Sequence, residues 1–206
     1  MDDINKSFPL ALDLGCHRGH IYDIIRSREN LRGDGGAGGV QSIVQCDTSS
    51  SVIQYLKSRE NEKNESAVEV KSFPLQCDPE KLPFENNSFD IVLSSMYMHW
   101  INDLPGTLKK IRSILRPDGV FIGCMLGGNT LQELKHCLYL AELERKGGMS
   151  SHASAFATAS DVASLMQNAG FSLPTIDVDT ITVQMHSVAH KINIFCYLFY
   201  KLCSNP

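Results

Sequence analysis

With 206 residues, 43% of them hydrophobic, the chain can bury one substantial core and fits one domain better than two. Its net charge of -4, with basic residues scattered rather than clustered, argues against nucleic acid as a direct partner, which needs a positive face. Seven cysteines contain no CxxC pair, pointing to a reducing compartment and no structural zinc, and the sequence has neither a membrane-length apolar run nor a visible targeting segment.

In chain order, residues 8 to 14 form an apolar run that reads as a buried parallel strand. It ends in Asp13-Leu14-Gly15-Cys16-His17-Arg18-Gly19 and hands over to a helix from 19 to about 28. An apolar strand closed by an acid and a glycine-bearing turn has the form of a nucleoside-cofactor site. Bare backbone at Gly15 lets a ligand come close, and the first N–H groups of the helix offer donors to an anionic group. A plain tight αβ connection has the same outline. Residues 32 to 39, with glycine at 33, 35, 36, 38 and 39, read as a flexible insertion that cannot pack. A phosphate loop would need a lysine and a helix immediately after it, whereas a strand follows here.

That strand covers 42 to 46, followed by a helix at about 50 to 58 and a charged, solvated connection at 57 to 65. Strands are expected at 68 to 75 and 89 to 94, a helix at 104 to 115, and a turn at Arg116-Pro117-Asp118-Gly119. A strand at 120 to 125 then leads through Gly127-Gly128-Asn129-Thr130, with Asn129 or Thr130 as N-cap, into a helix at 131 to 145, and a last element spans 162 to 168. Alternation of this kind predicts an α/β fold, a mostly parallel sheet with helices on both faces. Ligands in such sheets sit beyond the carboxyl ends of the strands, near the topological switch point.

Candidate residues therefore come from strand ends. Asp47 closes the second strand, where an acid can accept two ribose hydroxyls, and Thr48 follows it; a helix cap is the structural alternative for Asp47. Asp78, in Cys77-Asp78-Pro79-Glu80-Lys81-Leu82-Pro83-Phe84, can accept from an adenine amine, with Leu82 as apolar contact to the base. The alternative is a turn that Asp and Pro merely fix. The fourth strand delivers Ser94 and then Met96-Tyr97-Met98-His99-Trp100. His99 is the candidate acid or base, and Trp100 a pocket wall; on the structural alternative Trp100 anchors the core and His99 is its satisfied polar neighbour. The sequence carries no His-His-carboxylate signature for iron, and no metal is expected.

Taken together, Asp13 to Gly19, Asp47, Asp78 with Leu82-Pro83-Phe84, Phe89-Asp90-Ile91-Val92 and Leu115-Arg116-Pro117-Asp118-Gly119 resemble the class I S-adenosylmethionine-dependent methyltransferases. Within that superfamily, Phe8 to Gly15, Ser94-Ser95 with His99-Trp100-Ile101-Asn102-Asp103-Leu104-Pro105, Gly127-Gly128-Asn129-Thr130 and Ala141 to Gly148 resemble the mitochondrial complex I assembly factor 5 family. The resemblance implies a Rossmann-like methyltransferase fold and S-adenosylmethionine as cofactor, in a matrix protein peripheral to the inner membrane. It implies action on a complex I subunit or assembly intermediate, by hydroxylation or methylation of an arginine. A more distant relative implies methylation of a malonyl-acyl-carrier protein instead. Asp13, Gly15, His17, Gly19, Asp47, Thr48, Asp78, Leu82 and Ser94 are the cofactor residues the resemblance implies.

Three departures shape what is expected of this chain. His17 stands where the family has the middle glycine of its turn, so the position is expected to need positive φ and the ring to compete with the cofactor for space. The chain starts eight residues before the first strand, short of the family's transit peptide and N-terminal cover. Residues 1 to 185 are read as the methyltransferase-like domain and 186 to 206 as an atypical apolar tail, so the sheet is expected to lack its usual last strand and leave an edge open unless the terminal run substitutes for it. An enzyme acting on a protein side chain and an assembly chaperone with weakened catalysis are the two functional readings.

Overall fold

The structure, a computed structural model, describes residues 6–27, 36–61, 70–148 and 156–181 and the backbone of 196–203. Seven strands are described: β1 (Leu10–Leu14), β2 (Ser42–Asp47), β3 (Lys71–Gln76), β4 (Phe89–Ser95), β5 (Leu115–Leu126), β6 (Leu173–Thr180) and β7 (Cys196–Cys203). The helices are α1 (His20–Ser27), α2 (Ser50–Asn61), α3 (Leu104–Ile114), α4 (Gln132–Lys146) and α5 (Ala159–Asn168). The strands form one sheet in the order β3-β2-β1-β4-β5-β7-β6, with the first five parallel and β7 antiparallel to both neighbours. The α/β expectation holds, and the chain reverses its direction of winding between β1 and β4. A crevice at the carboxyl ends of β1, β2 and β4 follows from that reversal.

The sheet does not lack a last strand: of the two outcomes expected, the terminal run substitutes for it. Residues 196–203 pair along their whole length with β5, Val120 opposite Cys203 through Leu126 opposite Tyr197, and with β6 on the other side. An apolar, aromatic-rich run of this length suits a strand flanked on both sides, and its insertion satisfies a β5 edge that would otherwise be open. Residues 186–195 lie outside the described residues. β6 was not anticipated, because its proline and alternating aspartates, Leu173-Pro174-Thr175-Ile176-Asp177-Val178-Asp179-Thr180, give a weak strand signal.

Core packing follows the two faces of the sheet. Leu12, Leu14, Val92 and Phe121 point to one face and meet Leu108, Ile111 and Ile114 of α3 and Val162 and Met166 of α5. Those helix positions recur at a spacing of three to four residues, the stripe a surface helix must bury. Ala11, Ile43, Ile91 and Val120 point the other way, against Tyr22 and Ile25 of α1 and Phe8. α3 begins at Asp103, whose carboxylate accepts from the Gly106 N–H at 2.9 Å, and α5 opens with a Thr158–Asp161 capping box.

Two local expectations are also revised. Gly36 and Gly39 do pack: a Cβ at Gly36 would press on Ile25, and one at Gly39 would overlap Ser7. Glycine there permits close approach rather than slack, while residues 28–35 lie outside the described residues. Neither Asn129 nor Thr130 caps α4. Leu131, at φ 58°, occupies the cap position with no side-chain cap, and the buried Thr130 hydroxyl has no partner.

Candidate functional site

The turn after β1 carries two glycines in the left-handed region, Gly15 at φ 74° and Gly19 at φ 79°. Between them His17 also takes positive φ, 48°, as its position in the turn demands. Gly15 and Cys16 both donate their N–H to the Cys46 carbonyl, at 2.9 and 3.0 Å, so β2 holds the turn from below. Asp47 holds it from the side, accepting from the His17 N–H at 3.2 Å with one carboxylate oxygen and from the Ser49 N–H at 2.9 Å with the other. The cap alternative for Asp47 is corrected: Ser49 directly precedes α2 and its hydroxyl accepts from the Val52 N–H at 3.5 Å, while Asp47 braces Ser49. Each oxygen has a second lone pair, so the carboxylate can still accept from a ligand.

Asp13 is the least expected residue of the sheet. It is completely buried, its two oxygens have no hydrogen-bond partner, and it lies in register with Gln45, whose Nε2 is also unpartnered. Burial, with the Asp47 charge beside it, pushes the Asp13 carboxyl up to about 8. An unsatisfied buried carboxyl costs stability unless something polar or cationic approaches it. Its position under the glycine turn makes that turn the place where such a group would come.

The fourth strand closes the mouth. Ser94 is buried and donates to the Leu14 carbonyl at 3.0 Å, tying the ends of β4 and β1 together. After Met96, itself at φ 55°, Tyr97 lays its ring over Gly15 so closely that a Cβ there would overlap it. His17 meets the same ring edge-on, with centroids 5.8 Å apart. Sequence reasoning missed Tyr97 as a site residue. Its place directly after a strand end on the ligand side was the available signal.

His99 lies half-buried beside Trp100 and Phe156, with ring centroids at 5.2 and 6.1 Å, and its Nδ1 is buried without a partner. Burial first, and the nearby His17 second, hold its pKa below the ordinary imidazole value, so it is neutral and able to accept a proton near pH 7. The core-anchor alternative is corrected on both counts: Trp100 is 71% exposed, and His99 is not a satisfied neighbour.

Asp78 is exposed and accepts from the Glu80 N–H at 3.0 Å, the turn-fixing role, with one carboxylate oxygen uncommitted to that bond. Leu82 turns its side chain into the main core, which leaves its backbone as what it offers a ligand. Glu80 in turn accepts from the Asn102 and Asp103 N–H groups at 2.8 and 3.3 Å, fastening this loop to the segment that carries His99. The residues thus brought together are Asp13, Gly15, His17, Gly19, Asp47, Thr48 and Ser94, with His99 across the mouth through His17. Among the described residues no group of three or more His, Cys, Asp or Glu is arranged to hold a metal ion.

A family model described as a methyltransferase domain matches residues 12–123, from β1 through the middle of β5. The chain belongs to this methyltransferase-domain family. A solved structure shares the fold: a SAM-dependent methyltransferase from Methanosarcina mazei superposes with a TM-score of 0.69 at 15% identity, covering 98% of this chain and 94% of that one. In sequence, the chain is 44% identical over 184 residues to the mitochondrial arginine-hydroxylase NDUFAF5 of Danio rerio, across 88% of this chain and 50% of that protein. It is 30% identical over 146 residues to a malonyl-[acyl-carrier protein] O-methyltransferase of Gallionella capsiferriformans, across 71% of this chain and 48% of that protein. The chain spans about half the length of these curated relatives. No helix among the described residues is long and apolar enough to cross a membrane.

Proposed function

We propose that this methyltransferase-domain protein binds S-adenosylmethionine at the β1–β4 switch point and acts in early assembly of mitochondrial complex I, modifying an arginine of a complex I subunit. The observation that carries this reading is the 44% identity, over 88% of the chain, to a mitochondrial arginine-hydroxylase. Location in the matrix, peripheral to the inner membrane, goes with it.

The residues present suit that cofactor with one rearrangement. Asp47 keeps acceptor capacity for a ribose diol, Asp78 keeps an oxygen for an adenine amine, and Gly15 and Gly19 let backbone approach the ligand. Asp13 lacks any partner of its own and would be relieved by a cationic ligand group nearby. The Tyr97 ring over Gly15 has to swing away. Bound S-adenosylmethionine supplies an electrophilic methyl group on a sulfonium. For its transfer the chain's task is alignment, and neutral His99 is placed to accept a proton from the nucleophile. Incubating the purified chain with S-adenosylmethionine and an arginine-bearing peptide of a complex I subunit, with dioxygen and an electron donor present because hydroxylation needs both, then mapping the peptide by mass, tests the reading. A methyl or hydroxyl on arginine supports it; an unmodified peptide with bound cofactor counts against it.

A second reading, an assembly scaffold with weakened catalysis, is favoured by His17 at positive φ and by Tyr97 covering the turn. Calorimetric titration of S-adenosylmethionine into the native chain and a His17→Gly variant separates the two. Binding by the glycine variant alone supports the scaffold. The acyl-carrier-protein reading has the weaker support, 30% identity over 71% of the chain.

A further inference from the structure

Three cysteines sit one residue from the site: Cys16 after Gly15, Cys46 before Asp47 and Cys77 before Asp78. Two of them share one face of the same ladder. Cys46 pairs with Leu75 across the β2–β3 ladder, so Cys77, two residues further on, points to the same face. The ladder continues past β3 through the Cys77 N–H, which donates to the Asp47 carbonyl at 3.1 Å, and both side chains pack in the main core. Both are free thiols, Cys46 fully buried in the main core and Cys77 half-exposed against it.

We propose that Cys46 and Cys77 are a redox modification site, a dithiol that a small disulfide of the glutathione class oxidises, and that closing it weakens ligand binding at the adjoining turn. The second half rests on the cofactor reading above.

The two thiols have unequal roles. Cys77 is reachable from solvent, and its interaction with the neighbouring Cys46 thiol lowers its pKa, outweighing its partial burial and the nearby Asp78 and Asp47 charges. The Cys46 thiol is pushed up by the same interaction and by burial, so it keeps its proton in the first step. The Cys77 thiolate attacks one sulfur of the oxidant, forming a mixed disulfide and releasing one thiolate. Cys46 sulfur then attacks Cys77 sulfur; the second oxidant thiolate leaves, and the Cys46 proton goes to it. Overall the protein dithiol gives up two electrons and two protons, and the oxidant becomes two thiols. Cys16 is also buried nearby, but it packs with Ile53 and Leu56 instead.

Closure reaches the site through backbone already described. A disulfide draws its sulfurs to about 2.05 Å and fixes the dihedral between them, which two free thiols at diagonal ladder positions do not satisfy. Cys46 must therefore shift, and its carbonyl is the acceptor for the Gly15 and Cys16 N–H groups, while Asp47 beside it holds the His17 N–H.

The test treats the native chain with glutathione disulfide and maps its linked peptides by mass, then titrates S-adenosylmethionine into the reduced and oxidised forms. The expected result is a Cys46–Cys77 linked peptide, an affinity at least about tenfold lower, reversal by dithiothreitol, and no oxidant sensitivity in Cys77→Ser or Cys46→Ala. A linkage to Cys16, no linkage at all, or a Cys46–Cys77 linkage that leaves affinity unchanged overturns the proposal. Failure of the reduced chain to bind S-adenosylmethionine would instead overturn the cofactor reading, and with it the second half of the proposal, while the linked peptide still decides the redox pair.

Discussion

Two aspartates on neighbouring strands, at opposite ends of the same sheet, live in contrasting surroundings. Asp90, at the amino end of β4, accepts from the Leu10 N–H at 2.9 Å and from the Arg116 guanidinium at 2.7 Å. Asp13, near the carboxyl end of β1, is more deeply buried and accepts from nothing. Gln45 Nε2, His99 Nδ1 and the Thr130 hydroxyl, all toward or beyond the carboxyl ends, share that condition. One end of the sheet is finished for stability, and the other holds polar groups that folding alone does not satisfy. Unsatisfied buried groups cost the fold; Asp13 and Gln45 lie beside the proposed cofactor site, whereas the Thr107 hydroxyl in α3 shares the condition inside a helix.

The sharpest way to break that contrast is to remove the charge at each end. The native Asp13 pKa of about 8 lies above its unfolded value of 3.8, so the stability it contributes is fully present below about pH 4 and is lost as pH rises toward 8. Asp13→Asn is expected to flatten that slope and to be more stable than the native chain by on the order of 3 kcal/mol at pH 8. Urea unfolding from pH 4.5 to 8.5 checks it, within that range of about four pH units. Asp90→Asn should do the opposite, losing about 1 kcal/mol, since its Arg116 partner is half exposed and screened. An Asp13→Asn variant less stable than native at pH 8 would show that the carboxyl has a partner after all.

At the mouth, Tyr97→Ala frees the backbone of Gly15 and should tighten S-adenosylmethionine binding by about fivefold, read by calorimetry. Weaker binding would make Tyr97 a wall of the site rather than its cover. The smallest effect concerns His99. Its NMR titration should fall below the ordinary imidazole value, and His17→Gly should raise it only modestly, because burial is the larger cause. An unshifted His99 would mean that its ring is solvated.

The glycine turn and Asp47 were legible because a buried apolar strand ending in acid and glycine has few other uses. The alternation of strands and helices gave the sheet for the same local reasons. The lie of Tyr97 over Gly15 was not legible, since it depends on Met96 adopting φ 55°. Of the two readings of Trp100, pocket wall and core anchor, the second fails, because a short turn over Met98–Trp100 buries Met98 and turns the indole out. β7 was hidden because its value lies in two long-range partners, β5 and β6, and no local pattern encodes them.

Titration of S-adenosylmethionine into the reduced native chain and Asp47→Ala at pH 7.5 tests most directly whether the unsatisfied end of the sheet is the cofactor site, at an order-of-magnitude threshold. Saturable binding by the native chain, at least about tenfold weaker in Asp47→Ala, is the expected result. Absence of binding in the native chain and in Tyr97→Ala alike would contradict it.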